Sequence, residues 1–245
     1  MCGVFGFIAK KGHEVDLDQL KRIAKTTMRR GEHAFGFSWI DSSGRLRMYK
    51  EQGRMVDRVG MLNLAADARM LIGHCRMATH GRPDQNQNNH PHPVDGGWLV
   101  HNGVLFDYRE LMLQHDLFPV TACDSEVLGL LMENAAGSLV ERTRKAVNAT
   151  LKSPLVTLAL WNRPRKLVAV RRGNPLWTGQ DDDGTYLGSL SDDLPGVVKE
   201  VRNNSILTFD GAGKMRRTTL QAPAKRGEKV QFLPGILRPI SNKTD

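Results

Sequence analysis

Cys2 directly follows Met1, so removal of one methionine would leave a thiol and a free α-amine on the same residue. An α-amine ordinarily titrates at roughly 7.7–8.0 and a thiol at roughly 8.5. Near neutral pH the amine can therefore serve as general base for its own side chain, and attack on a carbonyl carbon needs no separate histidine. Gly3 and Gly6 permit close backbone approach, and the pairs Val4-Phe5 and Phe7-Ile8 read as a short buried strand that would hold this terminus rigid. Taken alone, Cys2 fits a small buried residue without chemical consequence better than it fits a nucleophile.

A second concentration of chemistry lies between positions 74 and 101, where five of the eight histidines (His74, His80, His90, His92 and His101) fall together with Cys75. His90-x-His92 has ligand-like spacing on an extended segment. The remainder matches neither paired Cys-x-x-Cys nor His-Glu-x-x-His, so no metal is expected. Cys2, Cys75 and Cys123 are an odd number without framework spacing, which argues against stabilising disulfides and for a reducing compartment.

The elements that must position these groups follow from periodicity and turn residues. Asp16 to Arg30 reads as an amphipathic helix with Asp16 as cap, Gln19 at the capping-box position and Gly31 as its stop. Phe35 to Ile40 and Arg45 to Lys50 form a hairpin about Asp41-Ser42-Ser43-Gly44, and Arg58 to Ala68 is a short helix. Met70 to Arg76 and Trp98 to His101 are buried strands, separated by a loop over Pro83 to Gly97. Asp107 to His115, Asp124 to Asn134 and Ser138 to Leu151 are helices, the second capped by Asp124 or Ser125. Beyond Pro154 the pattern changes to strands at Leu155 to Trp161, Leu167 to Arg171, Thr185 to Leu190, Ser205 to Phe209 and Met215 to Leu220. Strands at both ends with helices grouped between them predict a layered α+β domain of two packed sheets with helices outside.

With 245 residues, 40% of them hydrophobic, the chain can build one substantial core. It has neither a signal segment nor an apolar run of membrane length, so a soluble cytoplasmic protein is expected. The net charge is +9, but Lys214 to Asp245 alone holds eight basic and two acidic residues. That basic tail fits a solvated extension better than a nucleic-acid surface, because Phe232 is its sole aromatic.

Read together, Cys2-Gly3-Val4-Phe5-Gly6, Arg29-Arg30-Gly31, Gly73-His74-Cys75-Arg76-Met77-Ala78-Thr79-His80-Gly81, His90-Pro91-His92, His101-Asn102-Gly103 and Asp124-Ser125-Glu126 resemble the class II glutamine amidotransferases, which are N-terminal-nucleophile (Ntn) hydrolases. The likeness is strongest to the glutaminase domain of glucosamine-6-phosphate synthase. It implies a four-layer α/β/β/α sandwich with two antiparallel sheets, a glutaminase domain over 2–221 and a basic tail over 222–245. It also implies Cys2 as nucleophile, Asn102 and Gly103 as oxyanion donors, Arg76 for the α-carboxylate of L-glutamine and Asp124 for its α-ammonium. Thr79 and His80 would line the pocket, while Arg30, Met77 and His90 would support it. No cofactor is implied.

Two departures stand out: Met77 occupies a position where the sugar synthase has tryptophan, and Glu32-His33-Ala34-Phe35-Gly36 replaces Tyr-Asp-Ser-Ala-Gly. Nothing in the chain resembles an acceptor-site domain, so the expected activity is release of glutamate and of ammonia for a separate synthase. The alternatives are a hydrolase of a γ-glutamyl or other small amide, and a catalytically silent binding module.

Overall fold

The computed structural model describes residues 1–150 and 153–220; the tail over 222–245 lies outside the described residues. In chain order the elements are β1 (Gly3–Ala9), α1 (Leu17–Met28), β2 (Ala34–Ile40), β3 (Leu46–Gln52), a 3-10 segment (Met55–Ala65), β4 (Met70–Arg76), a 3-10 turn (Asn86–Asn88), β5 (His92–Val94), β6 (Gly97–Gly103), α2 (Tyr108–Gln114), α3 (Asp124–Asn134), α4 (Leu139–Ala149), β7 (Leu155–Asn162), β8 (Arg165–Arg172), β9 (Trp177–Gln180), β10 (Gly184–Gly188), β11 (Lys199–Glu200), β12 (Ser205–Asp210) and β13 (Met215–Thr219). One sheet runs β11-β9-β10-β1-β4-β2-β3 and the other β13-β12-β8-β7-β6-β5. All strand pairs in both are antiparallel.

Side-chain parity explains the layering, since successive residues of a strand face opposite sides of the sheet. In β1, Phe5, Phe7 and Ala9 join Leu20, Ile23 and Ala24 of α1, whereas Val4 and Ile8 join Val100, Val156 and Leu158 of the opposite sheet. The outer face of the second sheet, with Leu99, Ala159 and Val168, packs on Val127, Leu131, Ala146 and Val147 of α3 and α4. The order is therefore helix, sheet, sheet, helix, with an apolar core at each of the three interfaces. Among the described residues no helix is long and apolar enough to cross a membrane.

The same parity sorts the chemical residues. Cys75 shares the outward face of β4 with Leu71, toward α1. Its neighbours His74 and Arg76 alternate to the inter-sheet side, where the His74 ring meets the carbonyl of His101 at 3.0 Å. In β6, Asn102 shares the inter-sheet parity of Val100, while His101 points the other way, its Nδ1 2.8 Å from Ser125 Oγ on α3.

Several local expectations needed correction. Asp16 caps α1 through Gln19 N at 2.9 Å, but the Gln19 side chain does not complete a capping box; it contacts Arg22 and the Asp193 carbonyl instead. The box forms at α4, where Ser138 and Glu141 bond reciprocally. The helix expected over Arg58 to Ala68 is 3-10 geometry, broken at Arg58. The loop over Pro83 to Gly97 contains a 3-10 turn and the three residues of β5. The N-cap of α3 is Cys123, not Asp124 or Ser125, and its side chain makes no cap bond.

Candidate active site

β1 lies between β10 and β4, and Gly3 pairs with Cys75, so the terminus is fixed at the end of a central strand. Val4 N donates to Ser189 Oγ at 2.9 Å, and Ser189 N donates back to Val4 O at 2.9 Å. A Cβ on Gly3 would sit 2.6 Å from Thr27 Cγ2 and 2.8 Å from Thr27 O, so only glycine lets the end of α1 approach this closely. That approach brings Arg30 to the nucleophile, its Nε donating to Cys2 O at 2.9 Å.

The Cys2 sulfur lies at the turn that follows β4. Met77 N donates to it at 3.3 Å, and Met77 O is also 3.3 Å from it. Burial raises the Cys2 thiol above its ordinary range; the Met77 amide, the terminal ammonium and Arg76 pull against that, and Asp124 adds to it. At neutral pH the thiol therefore keeps its proton until a base removes it. In the chain as described that terminal amine belongs to Met1, which is 74% exposed and accessible for removal.

A cavity of about 260 Å³ opens over Cys2, lined by Met77, Thr79, Asn102, Gly103, Val104, Phe106, Pro154 and Asn174 as well as Met1. Ligand pockets run roughly from 300 to 1,000 Å³, so this one suits a metabolite of amino-acid size. Asn102 is buried and its side-chain Nδ2 has no hydrogen-bond partner, whereas its backbone carbonyl accepts from Asn174 Nδ2 at 2.9 Å. A buried, unpaired amide N–H on a cavity-lining residue is costly in a resting protein and useful where negative charge develops.

Arg76, His80 and Asp124 form a second group outside that lining. Arg76 is buried, with Nη1 on Asn89 Oδ1 at 2.7 Å and Nη2 on the carbonyls of His80 and Gly81. Three of its N–H groups are thus engaged, which leaves Nε–H and a second Nη1–H for a ligand. Asp124 Oδ2 accepts from Leu105 N at 2.7 Å, and Oδ1 faces His80 Nδ1 at 3.8 Å. The Asp124-Ser125-Glu126 run has one task per residue: Ser125 meets His101, and Glu126 accepts from Val120 N and Thr121 N.

Three positioning residues escaped the sequence reading. Asn174 holds Asn102, Asn89 holds Arg76, and His33 organises the segment after β4 by accepting from Ala78 N at 3.0 Å while its own N–H donates to Arg76 O. Asn89 and His33 sit in polar stretches whose partners lie far along the chain, so spacing gave no signal for either. His90 packs against His74 with ring centroids 3.9 Å apart, and neither of its ring nitrogens has a partner. Burial holds His90 and His92 neutral, and Lys50, which reaches the carbonyls of Gln87, Asn89 and Pro91, is lowered to about 8, also by burial.

Two antiparallel sheets between helix layers, with a cysteine at the head of a central strand, define an Ntn-hydrolase fold. The same fold occurs in a glutamine phosphoribosylpyrophosphate amidotransferase from B. subtilis (TM-score 0.75, 23% identity, 90% of this chain and 49% of that one). It recurs in a glutamine aminotransferase class-II domain protein from Silicibacter pomeroyi (TM-score 0.61, 14% identity, 91% of this chain and all of that one). No family model matches the chain. In sequence it is 30% identical over 247 aligned residues to the glutamine–fructose-6-phosphate aminotransferase of Symbiobacterium thermophilum, covering 97% of this chain and 39% of that protein. It is 29% identical over 238 to the Clostridium tetani protein of the same name, covering 94% and 38%. The chain belongs to the class II glutamine amidotransferases, as a homologue of their glutaminase domain. It spans about two fifths of the length of these curated relatives.

Proposed function

We propose that this chain, after loss of Met1, hydrolyses the side-chain amide of L-glutamine through Cys2 and supplies the ammonia to a separate synthase. The observation that carries the reading is the buried, unpaired Nδ2 of Asn102, a residue that lines the same cavity as Cys2. The Cys2 amine takes the thiol proton as sulfur attacks the carboxamide carbon, and the carbonyl becomes an oxyanion that Asn102 Nδ2 and the Gly103 N–H stabilise. Collapse breaks the C–N bond, the same amine returns the proton to the leaving nitrogen, and ammonia departs from a thioester. Water, deprotonated by the amine, then cleaves the thioester to glutamate and regenerates the thiol.

Arg76 would use its two remaining donors on the α-carboxylate, and Asp124 would bind the α-ammonium through Oδ1, with Thr79 and His80 lining the approach. Arg30 fixes the Cys2 carbonyl and Met77 the sulfur, so both position the nucleophile. A synthase as acceptor of the ammonia is suggested by relatives that are named as aminotransferases. The basic tail, most of it outside the described residues, is the proposed contact with that subunit; nucleic acid is the minority alternative. Glutamate and ammonia released by wild type and by Cys2→Ala test the reading. Equal release by both chains would end it.

A further inference from the structure

The most unusual feature outside this chemistry is a knot of buried imidazoles behind the pocket. His90 is 3% exposed and His92 is fully buried, yet none of their four ring nitrogens has a hydrogen-bond partner. Nearly all buried polar groups are satisfied, so two neighbouring rings left wholly unpaired call for a ligand that the protein does not itself provide. The rings stand almost perpendicular, at 82° with centroids 4.6 Å apart. The buried thiol of Cys123 completes the group: one ring nitrogen from each histidine and Cys123 Sγ all lie within 4.8 Å of one another.

We propose that His90, His92 and Cys123 form a binding site for a divalent transition ion of the zinc type. Two imidazoles and a thiolate are a zinc donor set, with bonds of about 2.0–2.1 Å to nitrogen and about 2.3 Å to sulfur. Those lengths place the ligands closer together than the ion-free group holds them, and rotation of the thiol and the two rings closes the gap. The ion replaces the Cys123 S–H proton, which leaves to solvent, while both imidazoles enter neutral. Charge in the surroundings is balanced, with Lys50 and Arg76 on one side and Asp124 and Glu126 on the other. Burial, with Asp124 beside it, raises the Cys123 thiol to about 11, so the group is a thiol in the ion-free protein and gives up its proton only on coordination.

The consequence is structural. His90 and His92 belong to the segment around β5, and Cys123 belongs to the start of α3. At present one side-chain bond links the two here, from Ala122 N to Asn88 Oδ1 at 2.9 Å. An ion would fasten the segment that carries Asn89, and through it Arg76, to the helix that carries Asp124. This site lies apart from Cys2 and takes no step in the proposed reaction.

Cobalt(II), titrated into the full chain after chelation, reports the site directly. One equivalent should give visible d–d bands and a near-ultraviolet thiolate-to-cobalt band, with release of a proton, and zinc(II) should abolish both bands. Zinc should also raise the melting temperature of the wild type and slow alkylation of Cys123. Cys123→Ser and His92→Gln, shown to be folded by circular dichroism, should each lose the thiolate band, while Cys2→Ala retains it. Absence of stoichiometric binding to wild type overturns the proposal. So does a thiolate band that survives in Cys123→Ser or disappears in Cys2→Ala. Should both site variants fail to fold, alkylation of wild-type Cys123 at an unchanged rate with and without zinc refutes the assignment.

Discussion

Replacing Asn102 by alanine should separate catalysis from folding more cleanly than any other change at the site. The Nδ2 of Asn102 bonds to nothing in the resting protein, while its backbone is held independently by Asn174 at 2.9 Å and by the pairing of β6 with β7. Truncation therefore removes a buried unsatisfied donor, whose burial costs about 1–3 kcal/mol, and offsets this against lost side-chain contacts of similar size. The net change in unfolding free energy should stay below about 1 kcal/mol. In the transition state the same N–H meets a developing negative charge, and loss of one such donor lowers kcat by about 10²–10³, or roughly 2.7–4 kcal/mol. KM should change little, because the ground-state carbonyl gains less from this donor than the oxyanion does. Ammonia release over a range of glutamine concentrations, with urea unfolding of the same preparations, makes the comparison. Asn102→Asp, which puts an acceptor where a donor is needed, should be slower still. An alanine variant with near-normal kcat, or one that loses activity only in proportion to lost stability, would refute the oxyanion assignment.

The remaining expectations test the pocket and the fold. Asp124→Asn or Arg76→Ala should weaken glutamine strongly, since losing a buried charged partner costs about 2–5 kcal/mol; equal turnover of glutamine and N-acetylglutamine by wild type would instead favour a general amide hydrolase. Cys75→Ala should retain glutaminase activity, because Cys75 faces α1 and burial keeps its thiol protonated. Burial raises the Asp41 carboxyl, but Ser43, the Arg45 N–H and Arg47 outweigh it and hold the group at about 2, below its ordinary 3.8. A depressed acid stabilises the fold above its unfolded pKa and loses that contribution as pH falls toward the folded one. Asp41→Ala should therefore cost more stability at pH 7 than near pH 2, read by chemical unfolding at both. The hydrolysis rate should climb with pH through roughly 7.7–8.0, the ordinary α-amine range, as the Cys2 amine becomes free to accept a proton; a flat profile there would argue for another base.

How much of this was legible in the sequence depended on range. The strand ending at Arg76 and the helix from Asp124 to Asn134 were read to their bounds, because hydrophobic period and turn residues are local signals. Cys2, Arg76 and Asn102 were named from motif order, and strand parity explains why Arg76 and Asn102 face the inter-sheet side. The short strands Trp177–Gln180 and Lys199–Glu200 were missed, since partly exposed strands of two to four residues carry no usable alternation. β5 was hidden by Pro93 inside it and by the polar composition around it. The meeting of His90 and His92 with Cys123 was invisible for a different reason: the ligands come from a loop strand and a helix cap whose contact is set by tertiary packing. His90-x-His92 alone was too common a spacing to argue a metal.

Intact-mass analysis of the active protein, quenched in acid during glutamine turnover, bears most directly on the central claim that Cys2 is a nucleophile served by its own amine. The account predicts a chain that begins at Cys2, with a γ-glutamyl group trapped on that residue and absent from Cys75 and Cys123. An equally active chain that retains Met1, or a glutamyl adduct on another residue, would contradict it.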